Sequence, residues 1–168
     1  YFLQRCQQFT GPLAAKGVED TCFYIYNRLI SHNEVGDSPE NFGLSGQGFH
    51  EKMLQRNRDF PLSINATATH DTKRGEDARM RINVLSEFGE EWFKKVEEWM
   101  EIGKQFTKKD IPDPNEAYFI FQMLIGSFPF DLEPTANFLE RSKAYLQKVL
   151  REAKVHSSWA EPDEEYET

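Results

Sequence analysis

Asn65-Ala-Thr-Ala-Thr-His-Asp-Thr-Lys-Arg-Gly-Glu-Asp77 is the stretch around which the rest of the chain is arranged. Read with Pro61 to Ile64 ahead of it, the run 61–69 predicts a β-strand: a proline bounds it, apolar and polar residues loosely alternate, and Thr67 and Thr69 are β-branched. Gly75, Glu76 and Asp77 then precede an apolar rhythm at helical spacing, so a helix begins there. Between strand and helix lie His70, Asp71, Lys73 and Arg74. A short polar turn at the carboxyl end of a strand is where α/β proteins gather their chemistry.

The composition narrows what such a turn can serve. A chain of 168 residues with 29% charged and 14% aromatic residues can bury a core and is neither disordered nor membranous in character. Its net charge of −8 argues against nucleic acid, whose phosphates select basic surfaces, although much of that charge sits in the tail from Glu161 to Glu167. The longest apolar run, Ala117 to Ile125, is about half of what a membrane-spanning helix needs. Cys6 and Cys22 lack metal-site spacing and read as reduced thiols of a cytoplasmic protein. The aromatic surplus predicts a large packed interior, a sugar- or base-stacking surface, or a face that meets more protein, including self-association. A chain opening on Tyr1 in a helix-like pattern reads as a piece of a longer polypeptide.

Outward from the central stretch the pattern is helical. Residues 1–8 read as a helix end broken by Thr10-Gly-Pro12, 13–30 as a helical segment, 31–48 as a long polar loop, and 49–58 as a short charged helix. Beyond Gly75, Ala78, Ile82 and Leu85 share one helical face, and Trp92, Val96 and Trp99 repeat that spacing in a helix to about Phe106. Thr107 to Pro114 breaks the pattern. Asn115 then starts a core helix through Phe128, and a last helix runs to about Lys154. The chain divides accordingly at 1–60, 61–106, 107–155 and an acidic tail at 156–168. A single strand at 61–69 cannot form a sheet alone, because its ladder groups need partners. Either a short neighbour is hidden in the pattern or the partners lie elsewhere in a larger protein.

Individual residues leave alternatives open. Asp71 reads as a catalytic or binding carboxylate, or as a cap of the following helix, a cap that Thr72 can also supply. Lys73 and Arg74 read as contacts to an anion or to hydroxyls, or as partners of Glu76 and Asp77. His70 fits a base, a hydroxyl donor or a core histidine. Glu19-Asp20 reads as a second carboxylate of an acid/base pair or as a complement to a helix dipole. Trp92 and Trp99 read as core. His32, His50 and His156 stand apart without ligand spacing, so neither a metal nor another cofactor is expected.

Ala66-Thr-Ala-Thr-His-Asp-Thr-Lys-Arg-Gly-Glu-Asp77 resembles the late conserved motif of the α-amylase superfamily in the form found in maltooligosyltrehalose synthases. Gly11-Pro-Leu-Ala-Ala-Lys-Gly-Val-Glu-Asp-Thr-Cys-Phe-Tyr24 and Tyr26-Asn-Arg-Leu-Ile-Ser-His-Asn-Glu-Val-Gly36 are similar to a second stretch of that family. The resemblance implies a mainly α-helical piece of a (β/α)8 barrel enzyme. It implies an activity that turns the reducing-end α-1,4 bond of a maltooligosaccharide into an α,α-1,1 bond by retaining transglucosylation, with a nucleophile and an acid/base about 5 to 5.5 Å apart. Neither of those two groups has a matching motif here. Asp71 takes the place of the third, transition-state-stabilising carboxylate, and His70 that of a donor to a hydroxyl of the same sugar. Lys73, Lys16 and Arg74 fall at substrate-binding positions. Rival readings are another α-glucan hydrolase or transferase, and a non-catalytic helical module that binds glycan or protein.

Overall fold

The segment expected to be a strand is not one. In a computed structural model describing residues 1–109 and 111–168, residues 61–69 run as turns and irregular chain, exposed throughout. Leu62 and Ile64, which a sheet would bury on one face, are 94% and 91% exposed. Among the described residues no strand is present, only an isolated antiparallel bridge between Lys108 and Ile111. The strand assigned to 61–69 is therefore corrected to irregular backbone. Alternation and β-branching favour a pleated surface only when a neighbouring ladder takes up the N–H and C=O groups. Nothing in the described chain does.

The architecture is helical: α1 (Phe2–Ala14), α2 (Gly46–Asp59), α3 (Glu76–Asn83), α4 (Leu85–Phe88), α5 (Glu90–Gly103), α6 (Pro114–Ser127), α7 (Ala136–Ala153) and α8 (Glu164–Glu167). Gly11-Pro12, read as a break, lies inside α1. The helix continues as a π-helical turn at Ala15–Glu19, and 13–30 is not one helix but this turn followed by 3-10 turns at Cys22–Tyr24 and Ile30–His32. The helix read from Gly75 to Gly89 is two, α3 and α4, meeting at Val84. Asp113, not Asn115, starts α6 through a capping box with Glu116, and Pro114 takes the first helical position. Asp110, inside the break read at Thr107 to Pro114, lies outside the described residues.

The core sits where α3, α5 and α7 pack around α6, with Ile82, Leu85, Trp92, Phe119, Met123 and Val149 buried. Gly126 of α6 lets α3 approach: a Cβ there would stand 2.8 Å from Cδ1 of Ile82. Trp92 and Trp99 meet edge to face at 5.8 Å, and Trp99 meets Phe121 of α6 at 5.4 Å. By contrast α1 and α2 contribute no buried residue, and Phe2, Phe9, Leu13, Phe49 and Leu54 present apolar surface.

The irregular segment 23–34 is drawn into the core by amide side chains. Fully buried Gln122 of α6 accepts the Ile30 N–H at 2.9 Å and donates to the Asn27 carbonyl at 2.8 Å. Fully buried Asn33 donates to the carbonyls of Phe23 and Tyr26 at 2.8 and 2.7 Å. Such loops carry buried main-chain groups that helix bonding leaves open, and side-chain amides satisfy them. The result is a rigid shelf beside α3.

Candidate functional site

The turn bearing His70 and Asp71 closes on itself. The Thr69 N–H donates to Oγ1 of Thr72 at 2.7 Å, the Thr72 N–H reaches the Thr69 carbonyl at 3.3 Å, and the Thr72 hydroxyl donates to that same carbonyl. Thr72 is thus used within its turn and does not cap α3, whose N-cap is Gly75 without a side-chain bond. Asp71 does not cap it either. Its φ of 61° lies in the left-handed region, which aspartate enters more readily than most residues, and its side chain is 56% exposed. His70 is exposed beside it.

Two distant stretches meet here. Lys73, its side chain only 3% exposed, places Nζ 2.7 Å from Oδ1 of Asp20 and 3.6 Å from Oδ2 of Asp71. The other oxygen of Asp20 takes the Lys16 ammonium. The π-helical turn brings Lys16 and Asp20 together, with the Asp20 N–H bonded to the Ala15 carbonyl at 2.9 Å. Charges therefore alternate along Lys16, Asp20, Lys73 and Asp71. Burial works to lower the Lys73 pKa, but the bond and charge of Asp20, helped by Asp71, raise it overall. Burial likewise works to raise Asp20, and the two ammonium partners bring it below its ordinary value.

Behind the turn the chain is buried. Glu34, 6% exposed, accepts the backbone N–H groups of Lys73 and Val35 on one oxygen and that of Arg74 on the other, the last two at 3.0 Å. Arg74, 8% exposed, donates through Nη1 to the Ile30 carbonyl at 2.9 Å, and its guanidinium lies 5.5 Å from the Phe119 ring centre. Of the residues expected at the site, His70, Asp71 and Lys16 are exposed, and the buried ammonium of Lys73 lies between Asp71 and Asp20, the partner of Lys16. Arg74 points into the core, where it ties α3 to the 30–33 shelf.

A solved maltooligosyltrehalose synthase from Arthrobacter ramosus is similar over 96% of this chain and 20% of its own, at 36% identity and a TM-score of 0.82. The structure of a hypothetical maltooligosyl trehalose synthase from Sulfolobus tokodaii matches 98% of this chain and 22% of its own, at 43% identity and a TM-score of 0.87. A Mycobacterium tuberculosis protein provisionally named a maltooligosyl trehalose synthase is 39% identical over 97% of this chain. The chain is similar to one segment of the maltooligosyl trehalose synthases. It spans about one fifth of the relatives it matches. No protein-family model matches it.

Sequence reasoning left two site carboxylates without their place. Asp20 had a local signal, its spacing of four from Lys16, although a pairing with Lys73 across 53 residues had none. Glu34 lies in the family-like stretch Tyr26 to Gly36, but nothing local marks its bonds to Lys73 and Arg74, which span 39 and 40 residues.

One further cluster has ligand-type atoms. Asp113, Glu116 and His156 bring theirs within 4.8 Å of one another. All three are already engaged: Asp113 caps α6 and holds His156 at 2.8 Å, while Glu116 takes the Tyr166 hydroxyl and completes the capping box. The cluster reads as a helix cap tied to the tail. Cys6 and Cys22 are free thiols. Among the described residues no helix is long and apolar enough to cross a membrane.

Proposed function

We propose that this chain is part of a cytoplasmic enzyme of trehalose formation that turns the reducing-end α-1,4 bond of a maltooligosaccharide into an α,α-1,1 bond. In this reading a carboxylate elsewhere in the polypeptide attacks the anomeric carbon of the penultimate glucose. A second carboxyl group protonates the departing O4, and a glycosyl-enzyme forms. The freed glucose turns over, and its anomeric hydroxyl attacks that intermediate, giving its proton back to the second group with configuration retained overall. Asp71 grips hydroxyls of the glucose that becomes oxocarbenium-like, and His70 donates to the same sugar. Lys16 and Lys73 lie on the side of the glucose that turns over. Arg74 acts as scaffold.

The observation that carries this reading is the meeting of Lys16–Thr21 with His70–Arg74 through Asp20 and Lys73, 2.7 Å apart, in a chain similar to one segment of such synthases. The remaining polypeptide supplies the nucleophile and the acid/base and covers the apolar faces of α1 and α2.

In the full-length protein, Asp71→Asn is expected to lower turnover of maltopentaose at least a thousandfold, about 4 kcal/mol of transition-state stabilisation, with an unchanged circular dichroism spectrum. Near-normal turnover would remove Asp71 from the site. The 168-residue chain alone is expected to make no trehalose-capped product, and product formation by it would sink the assignment of the reacting carboxylates to the rest of the polypeptide.

A further inference from the structure

We infer that Asp20 and Glu34 are positioning residues that hold Lys73 at both ends, Asp20 by its ammonium and Glu34 by its backbone, and so fix the turn that presents Asp71. Asp71 is itself weakly restrained, with a half-exposed side chain and a 3.6 Å approach to Lys73 as its only ion pair among the described residues. Its place is set by what holds the residues on either side.

On the near side the Thr69–Thr72 bonds close the turn. On the far side Glu34 takes successive N–H groups at Lys73 and Arg74. A buried carboxylate facing main-chain N–H groups is costly to desolvate and is retained where its bonds are charge-assisted. Here those bonds set the exit of the turn into α3. Glu34 is in turn seated on the shelf that Asn33 and Gln122 pin to the core.

Asp20 acts on the other end. It draws the Lys73 ammonium down to 3% exposure while leaving Lys16, on its second oxygen, 74% exposed. The two lysines therefore differ in kind. Lys73 is a buried cation beneath Asp71, and Lys16 is an exposed one at the rim.

The link to turnover rests on the proposed role of Asp71, but the clamp can be tested without it. In the full-length protein, limited acetylation read by mass spectrometry reports the accessibility of the Lys73 ammonium against exposed Lys94. Asp20→Asn is expected to raise the relative acetylation of Lys73 at least tenfold with the circular dichroism spectrum unchanged, and an unchanged rate would overturn the inference. Glu34→Gln is expected to speed hydrogen exchange at the Lys73 and Arg74 amides at least tenfold. If that variant does not fold, the wild-type amides decide the matter: strong protection supports the clamp and free exchange overturns it.

For turnover, Asp20→Ala is expected to lose at least tenfold in kcat/KM and Asp20→Glu to recover part of it. Full activity in Asp20→Ala would refute a positioning role. Should Asp71→Asn instead prove active, the catalytic reading falls while the acetylation result still judges the clamp.

Discussion

Replacing Gln122 by methionine tests whether the shelf under the turn is held as described. The two side chains have similar length and helix propensity, so α6 itself is undisturbed. The change removes an acceptor 2.9 Å from the Ile30 nitrogen and a donor 2.8 Å from the Asn27 oxygen. Ile30 is fully buried and Asn27 is 4% exposed, so water does not replace either partner. Leaving a buried main-chain group unpaired costs about 1–3 kcal/mol. Two such groups give about 2–6 kcal/mol, and the methionine, with no amide to desolvate, returns about 1–2 kcal/mol of that. The expected net loss is about 1–4 kcal/mol, a large share of the roughly 5–15 kcal/mol that domains possess. In urea, with a slope near 2 kcal/mol per molar, the midpoint should fall by about 0.5–2 M. Far-ultraviolet circular dichroism across a urea series measures it. A loss under 0.5 kcal/mol with an unchanged slope would show that Ile30 and Asn27 find other partners and that Gln122 does not hold the shelf.

Gly126→Ala gains about 1 kcal/mol of helix propensity, but its methyl would meet Ile82 at 2.8 Å and the Ala78 carbonyl at 3.2 Å. The expected outcome is a net loss of about 1–2 kcal/mol, smaller when Ile82→Val removes the nearest atom, and a raised melting temperature for the single variant would contradict the packing. Asp113→Ala removes a side chain that accepts the Asn115 and Glu116 N–H groups at 2.8 and 2.9 Å, and thermal melts should register a loss of about 1 kcal/mol. Bonds from Arg151, then Ser157, outweigh burial and, with Gln147, bring Glu167 from 4.5 down to about 2. Its folded pKa is depressed, so its contribution is complete above pH 4.5 and is lost as pH falls toward 2. Hydrogen exchange in α8 and around Ser157 should rise across that window in the wild type, while Glu167→Gln should show fast exchange there already at pH 6; superimposable profiles would rule the bond out as the anchor of the tail.

How far the molecule can be read from its residues varies with the range of the interaction. The stretch Asp113 to Glu116 contains the whole start of α6, because a cap, a first-turn proline and the reciprocal glutamate all act within one turn. The Trp92–Val96–Trp99 stripe likewise marks the packed face of α5. Pro12 misled for a related reason: a proline inside a helix is penalised locally, yet α1 passes through it and changes to π winding three residues on. Residues 61–69 misled because β-propensity describes fit to a neighbour, and none is present among the described residues.

The local sequence determined where α5, α6 and α7 run, that His70 to Arg74 is a polar turn, and which residues of that turn carry charge, since propensity, capping and periodicity act over a few residues. Tertiary structure alone decided which charges matter together. Lys73 and Arg74 are adjacent in the chain, yet one ammonium is drawn to Asp20 across 53 residues and the other side chain enters the core to meet the Ile30 carbonyl across 44. Spacing treats the two cations alike. Only the packing of α3 against the amide-pinned shelf separates them, because burial and partnership are properties of the folded neighbourhood rather than of the residue.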